Sequence, residues 1–178
     1  MQPKPTVGHS LNSDEFYASV GMEVLHEWTT FGDPQVFALG AGVGYRPNDW
    51  WMSLGHFCVH IQGYRYGFVK PDATTLGNNL AGLQRRILRR GHHRCYFSDQ
   101  PAVEIVRAYQ TWNMGEEIES ASFDYFGQRE PGFVNALYQS GVMWAPDGTE
   151  AFDDGSDVFH FDLDHDMCRL IGYQTSRD

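Results

Sequence analysis

Two short stretches place metal-binding and proton-transferring side chains at alternate positions. One is His56-Phe57-Cys58-Val59-His60; the other is His160-Phe161-Asp162-Leu163-Asp164, followed at once by His165-Asp166. In an extended chain, residues two apart point to the same side and stand about 6 to 7 Å apart. His56, Cys58 and His60 on one face could hold zinc if a fourth ligand came from elsewhere, such as His92 or His93. His160, Asp162 and Asp164 make an oxygen-rich set suited to calcium or to a catalytic divalent ion. Each set also has a plainer reading. The first would be a polar strand face with a small buried cysteine, packed under a helix. The second would be an exposed strand face running into an acidic turn, and it has neither the glycine nor the closing glutamate of an EF-hand loop.

Other catalytic patterns are missing. The chain has no G-x-S-x-G elbow, no Walker loop and no G-x-G-x-x-G. Gly40-x-Gly42-x-Gly44 has no lysine and no helix after it, so a bulge or a close backbone approach is expected there rather than a phosphate. The balance favours a binding protein with no catalytic residues and no cofactor. The alternative is a metal-binding or metal-dependent hydrolytic enzyme built on the His160–Asp166 cluster.

The elements that would position these residues follow from periodicity and turn chemistry. Residues 1–12 read as a flexible tail, and residues 13–178 as one domain. Phe16 to Trp28 fits a strand or a short helix. Gly32-Asp33-Pro34 is a turn, because proline presets the backbone and aspartate bonds its own main chain. Gln35 to Tyr45 reads as a strand buried on both sides, Arg46-Pro47-Asn48-Asp49 as a turn, and Trp50 to Gln62 as the clearest strand, turning at Gly63 into Tyr64–Phe68. Leu76, Leu80, Leu83 and Ile87 recur at helical spacing after a Thr74 or Thr75 cap. Arg85, Arg86, Arg89 and Arg90 suit the negative end of that helix, and Gly91 its left-handed stop. Ser98-Asp99-Gln100-Pro101 opens a second helix to about Trp112, with Val103, Val106 and Tyr109 inward. Phe133–Tyr138 fits a short helix and Pro146-Asp147-Gly148 a turn. Val158–Leu163 and Met167–Tyr173 form a hairpin around Asp164-His165-Asp166. Strands, two central helices, then strands give an α+β fold with a mostly antiparallel sheet.

Charge narrows the partner. The net charge is -10, yet residues 1–112 carry 9 acids and 10 Lys/Arg, while residues 113–178 carry 14 acids and 3 arginines. The last third therefore repels nucleic acid and anionic membrane and attracts a basic protein. Glu116, Glu117, Glu119 and Asp124, then Glu150, Asp153, Asp154 and Asp157, are interleaved with Phe123, Tyr125, Phe126, Trp144 and Phe152. Aromatic anchors ringed by charge are what a tight protein interface uses, so these eight acids are the expected partner-binding residues. No run approaches the ~18 apolar residues of a membrane helix. No signal pattern opens the chain, and Cys58, Cys95 and Cys168 are odd in number and scattered, so a cytoplasmic location is expected.

Several motifs are shared with a known group. They are Gly32-Asp33-Pro34, Val36-Phe37-Ala38, Trp50-Trp51, Gly55-His56-Phe57, Ile61-Gln62-Gly63 with Gly67, and the helix after Thr75. Near the end come Val158-Phe159-His160-Phe161-Asp162 and Arg169-Leu170-Ile171-Gly172-Tyr173. In these the chain resembles the immunity protein 42 family of bacterial polymorphic toxin systems. The resemblance implies a cytoplasmic α+β protein, made by the toxin producer, that binds its cognate toxin. It implies no catalysis and no cofactor.

Overall fold

In the computed structural model, which describes residues 12–144, 150–164 and 166–175, the chain opens on a short helix, α1 (Ser13–Ser19). A capping box starts it: the Asn12 side chain accepts from the Glu15 N–H at 2.9 Å, and the Glu15 carboxylate accepts from the Asn12 N–H at 3.0 Å. The rest of the expected tail lies outside the described residues. The ambiguous stretch from Phe16 is thus a helix and then a strand, β1 (Glu23–Asp33).

The Asp33 turn forms as its residues demand. Asp33 Oδ1 accepts from the Gln35 N–H at 2.9 Å, and its carbonyl accepts from the Val36 N–H at 2.9 Å. β2 (Phe37–Arg46) returns antiparallel to β1, and β3 (Leu54–Ile61) pairs with β2. Trp50–Met52 is a 3₁₀ turn capped by Asp49, not the start of the strand. The reason is the Asp49 carboxylate, which accepts from the Trp51 N–H and so curls the chain at that point. Tyr64–Tyr66 (β4) and Thr74–Thr75 (β5) both pair with β3, completing a five-stranded antiparallel sheet.

Helix α2 (Leu76–Leu88) follows with Thr75 in the cap position, though the Thr75 hydroxyl makes no capping bond. Gly91 then adopts φ +87°, the left-handed stop. Helix α3 (Ala102–Met114) starts after Pro101. Ser98 does not cap it; its hydroxyl bonds the Cys95 main chain instead. Of the expected inner stripe, Tyr109 is buried and Val106 packs against the core, but Val103 is exposed; Ile105 and Ala108 complete the buried face instead. Two more helices follow: α4 (Glu117–Ser122), in a stretch the sequence left open, and α5 (Glu130–Ser140), which contains and extends the short helix expected at Phe133–Tyr138. The expected turn at Pro146-Asp147-Gly148 lies outside the described residues.

The C-terminal hairpin, β6 (Ser156–Asp162) and β7 (Cys168–Gln174), makes a sheet of its own. Residues 142–144 lie along the free edge of β6, through Trp144 N–H to Val158 O and His160 N–H to Val142 O, each 2.7 Å. The fold is α+β, with two sheets and five helices among the described residues.

The main core is aromatic. Phe159 and Phe161, on one face of β6, are fully buried with Phe97, Tyr125, Phe133, Ile105 and Leu137 from the α3–α5 side. Val158, on the other face of β6, packs with Phe57 and Val59 of β3 in a second cluster. β6 is therefore covered on both sides. Its second face carries His160 against Arg86 of α2 and Asp162 against the turn after that helix. No helix of the described residues is long and apolar enough to cross a membrane.

Candidate functional site

Asp162 sits at the end of β6, 4% exposed, and gathers donors from the turn after α2. Its Oδ2 accepts from the Gly91 N–H, the His93 N–H and His93 Nδ1 at 2.9, 2.9 and 2.8 Å. His160 Nε2 lies 3.2 Å from its Oδ1. Burial alone would raise the Asp162 pKa, but the His93 main-chain and ring bonds outweigh it and hold the carboxyl below its ordinary value. His160 is pushed down to about 4, by burial first and then by the Arg86 charge. His93 is also lowered, by burial, against the pull of Asp162. Both imidazoles are therefore neutral near pH 7.

Arg86 closes the arrangement from α2. Nη1 lies 3.0 Å from His160 Nδ1, Nη2 donates to Met143 O at 2.5 Å, and the guanidinium lies 4.8 Å from the Trp144 ring centre. Burial lowers its pKa to about 10. Two further arginines of the row, and Arg94 beyond it, also reach into the C-terminal half: Arg89 to Gln139 O, Arg90 to Asp166 and Arg94 to Leu163 O. The row explained in sequence by the helix end thus also stitches α2 and the turn after it to the rest of the chain.

Among the described residues, His93, His160 and Asp162 form a group whose ligand atoms all lie within 4.8 Å of one another. The tautomers argue against an ion there. A neutral histidine that ligates through Nε2 carries its proton on Nδ1. In His160 that proton would point at the Arg86 N–H donor 3.0 Å away. With the proton on Nε2, by contrast, His160 donates to Asp162 and accepts from Arg86, and the network closes without an ion. Asp164 does not join the group: its Oδ1 accepts from the Asp166 and Met167 N–H groups in the turn. His165 lies outside the described residues.

His56, Cys58 and His60 do share a face, as alternation requires, but that face is filled by packing. A methyl group on Gly42 would lie 2.2 Å from the His56 ring, and one on Gly40 2.7 Å from Cys58 Sγ. The glycines of β2 leave the room that the β3 side chains occupy, and Trp28 stacks on His56 at 4.4 Å. A register shift between Val43 and Tyr45 adds the bulge. Both expectations for Gly40-x-Gly42-x-Gly44 hold.

The eight acids separate by environment. Glu116, Glu117, Glu119, Asp124 and Asp153 are exposed. Asp124 Oδ1 accepts from the Gly127 N–H at 2.7 Å. Asp154 is half-buried and holds the Ser156 N–H and hydroxyl. Asp157 is half-buried and accepts from Tyr173 at 2.8 Å and Tyr109 at 3.5 Å. Burial raises the Asp157 pKa in spite of these bonds. Glu150 lies in a 3₁₀ turn, Glu150–Phe152.

Beside the Arg86–His160 network lies a cavity of about 560 Å³ that sequence periodicity did not disclose. Leu83 and Ile87 of α2 form one wall, Phe37 and Trp144 another, and Met167 and Leu170 of the hairpin a third. Of the expected inward stripe of α2, Leu83 and Ile87 line this opening, and Ile87 is 64% exposed; Leu80, outside the lining, is also exposed, at 47%. The buried residues of α2 are instead Gly77, set against Trp51, and Asn79, bonded to Thr74.

A model of the family described as immunity protein 42 matches residues 29–178. No curated protein and no solved structure matches the chain.

Proposed function

Because the chain belongs to the immunity protein 42 family, we propose that it neutralises a cognate bacterial toxin by binding it directly. The family match, over residues 29–178, carries this reading. Neutralisation here is stoichiometric and needs no catalytic residue or cofactor, which fits a His–Asp–Arg network whose hydrogen bonds are satisfied internally. The toxin producer holds the protein in its cytoplasm, where the toxin would otherwise act.

The toxin is a basic domain, of the kind that meets an anionic substrate such as nucleic acid. Residues 113–178 carry 14 acids against 3 arginines, and Glu116, Glu117 and Glu119 stand exposed at the α3–α4 junction. A field of that sign speeds the encounter with a basic partner and adds less to the lifetime of the complex. Asp124 and Asp153 extend the acidic surface. Asp154 and Asp157 contribute field while also holding turns and tyrosines in place.

The test is capture followed by protection. The tagged full chain is used to recover its partner from the native host, and the partner is identified by mass spectrometry. Cells expressing that partner are then scored for growth with and without the chain. A near-stoichiometric basic domain that kills alone and is harmless with the chain supports the reading. A partner whose toxicity the chain does not relieve overturns it.

A further inference from the structure

The cavity beside α2 combines three features. The first is an apolar row on α2: half-buried Leu83 and exposed Ile87 line the cavity, and exposed Leu80, three residues before Leu83 on the same helix face, continues the row beyond it. The second is a facing wall of Phe37 and Trp144, with Leu170 of the hairpin closing the third side. Phe37 is 36% exposed, and its neighbour Val36 is 66% exposed. The apolar surface therefore continues out of the cavity on the sheet side. The volume of about 560 Å³ falls in the range of sites that enclose a ligand group.

The third feature is a positive charge set into the lining. Arg86 makes no ion pair within 4 Å among the described residues; its two terminal nitrogens face Met143 O and a neutral imidazole. The nearby carboxylate, Asp162, has its oxygens engaged by Gly91, His93 and His160. Arg90 stands at the edge, paired with exposed Asp166. Arg86 is half-buried and hydrogen-bonds neutral acceptors; in a mainly apolar cavity whose carboxylates are the engaged Asp162 and the Arg90-paired Asp166, it is complementary to an anionic group that arrives with apolar surface around it.

We infer that this cavity is the anchor site for the toxin, and that it takes a toxin segment presenting a bulky apolar side chain with a carboxylate close beside it. The inference rests on the reading that the toxin is bound directly. It assigns two jobs to two surfaces: the acids around α4 steer, and the α2 cavity holds. Interfaces commonly divide in this way, with a few desolvated anchors setting the lifetime and peripheral charges setting the rate.

The test uses the captured and identified toxin domain, made inactive by mutation, titrated calorimetrically against the full chain. Ile87→Glu and Leu80→Glu change exposed positions, so the fold is kept, and unaltered thermal melting checks this. Each is expected to weaken binding by about tenfold or more. Ile87→Lys is expected to lose several-fold less than Ile87→Glu, because the added ammonium favours the arriving carboxylate. Val103→Glu, on the exposed side of α3, is expected to bind as the unaltered chain does. Unaltered binding by both α2 variants overturns the anchor site. Equal losses for Val103→Glu also overturn it, since the effect would then be one of overall charge. Ile87→Lys weaker than Ile87→Glu overturns the carboxylate. If native mass spectrometry shows an apolar acid held in the purified chain, or if sedimentation shows a dimer that Ile87→Glu dissociates, the occupant is a small molecule or a second copy, and the inference fails. If the unaltered chain does not bind the toxin at all, the direct-binding reading fails instead.

Discussion

β3 and the end of β6 start from the same sequence pattern, polar, ligand-capable residues at alternate positions separated by large apolar ones: His56, Cys58 and His60 in β3, His160 and Asp162 in β6 with Asp164 in the turn beyond it. The outcomes differ because of what faces each strand. Across from His56 and Cys58 lie the bare Gly42 and Gly40 of β2, with Ala38 across from His60, and the side chains fill that space beside Trp28. Across from His160 and Asp162 lie His93 and Arg86, from a turn and a helix some seventy residues earlier, and the side chains form a charged hydrogen-bond network. Alternation decides which residues share a face. The opposing surface decides whether that face is packing or chemistry.

The comparison is sharpest if the network is cut at its centre. Asp162→Ala removes the acceptor of two main-chain N–H groups and leaves both histidines without their carboxylate. Each buried donor left unpaired costs about 1–3 kcal/mol. Urea unfolding is therefore expected to show a loss of about 3 kcal/mol or more. A loss under about 1 kcal/mol would mean that water or rearrangement replaces the carboxylate, and that β6 is no more demanding than β3.

The matching change on the β3 side adds atoms. Gly42→Ala would place a methyl 2.2 Å from the His56 ring and 2.6 Å from Glu27 O. The ring can turn, but the carbonyl belongs to the β1–β2 ladder. Overpacking of this kind costs about 1–3 kcal/mol, so about 2 kcal/mol is expected by the same method. A neutral result would show that His56 can vacate the space, and that the glycine face is not held by packing.

How much of this could be read from sequence follows from the range of the forces involved. The strand faces, the Asp33 turn and the Gly91 stop are local, and their residues announce them. The 3₁₀ turn at Trp50–Met52 was hidden because Trp51 continues the parity of the strand after it. Pairing His93 with Asp162 requires knowing that the turn after α2 reaches the end of β6, which no spacing shows. The sequence did mark His93 as a spare ligand, but for the wrong strand. The α2 stripe was visible, but amphipathicity shows only that one face is apolar, and the usual inference that such a face is buried inside its own chain fails here.

Acid should separate the two strands next. The folded His160 pKa of about 4 lies below the ordinary histidine value of 6.5. Between those values the unfolded chain binds a proton that the folded chain refuses, so stability falls as pH drops from about 6.5 toward 4 and levels off below. Lowering the pH from 7 to 5.5 should cost about 1 kcal/mol through His160. His60 is lowered as well, but it lies nearer the surface. His160→Gln should therefore flatten the pH dependence of unfolding more than His60→Gln does. Equal flattening would mean that the Arg86 charge beside His160 adds nothing to burial.

The smallest expected effect is that of zinc. The β6 side offers three ligand atoms within 4.8 Å, yet with Nε2 of His160 on an ion its Nδ1 proton would face an arginine donor. On the β3 side, Cys58 Sγ and His60 Nε2 are 3.5 Å apart, while buried His56 Nε2 has no hydrogen-bond partner and lies against Gly42. Burial raises the Cys58 thiol pKa, which opposes the thiolate that zinc requires. A ligand bound at a hundred times its dissociation constant stabilises by about 2.7 kcal/mol. Melting with and without excess zinc would register that readily, and the expected shift is less than about 1 °C. If a shift appears and Arg86→Gln enlarges it while Cys58→Ala leaves it alone, β6 is a metal strand held in check by its arginine. The difference between the two strands would then rest on that one charge.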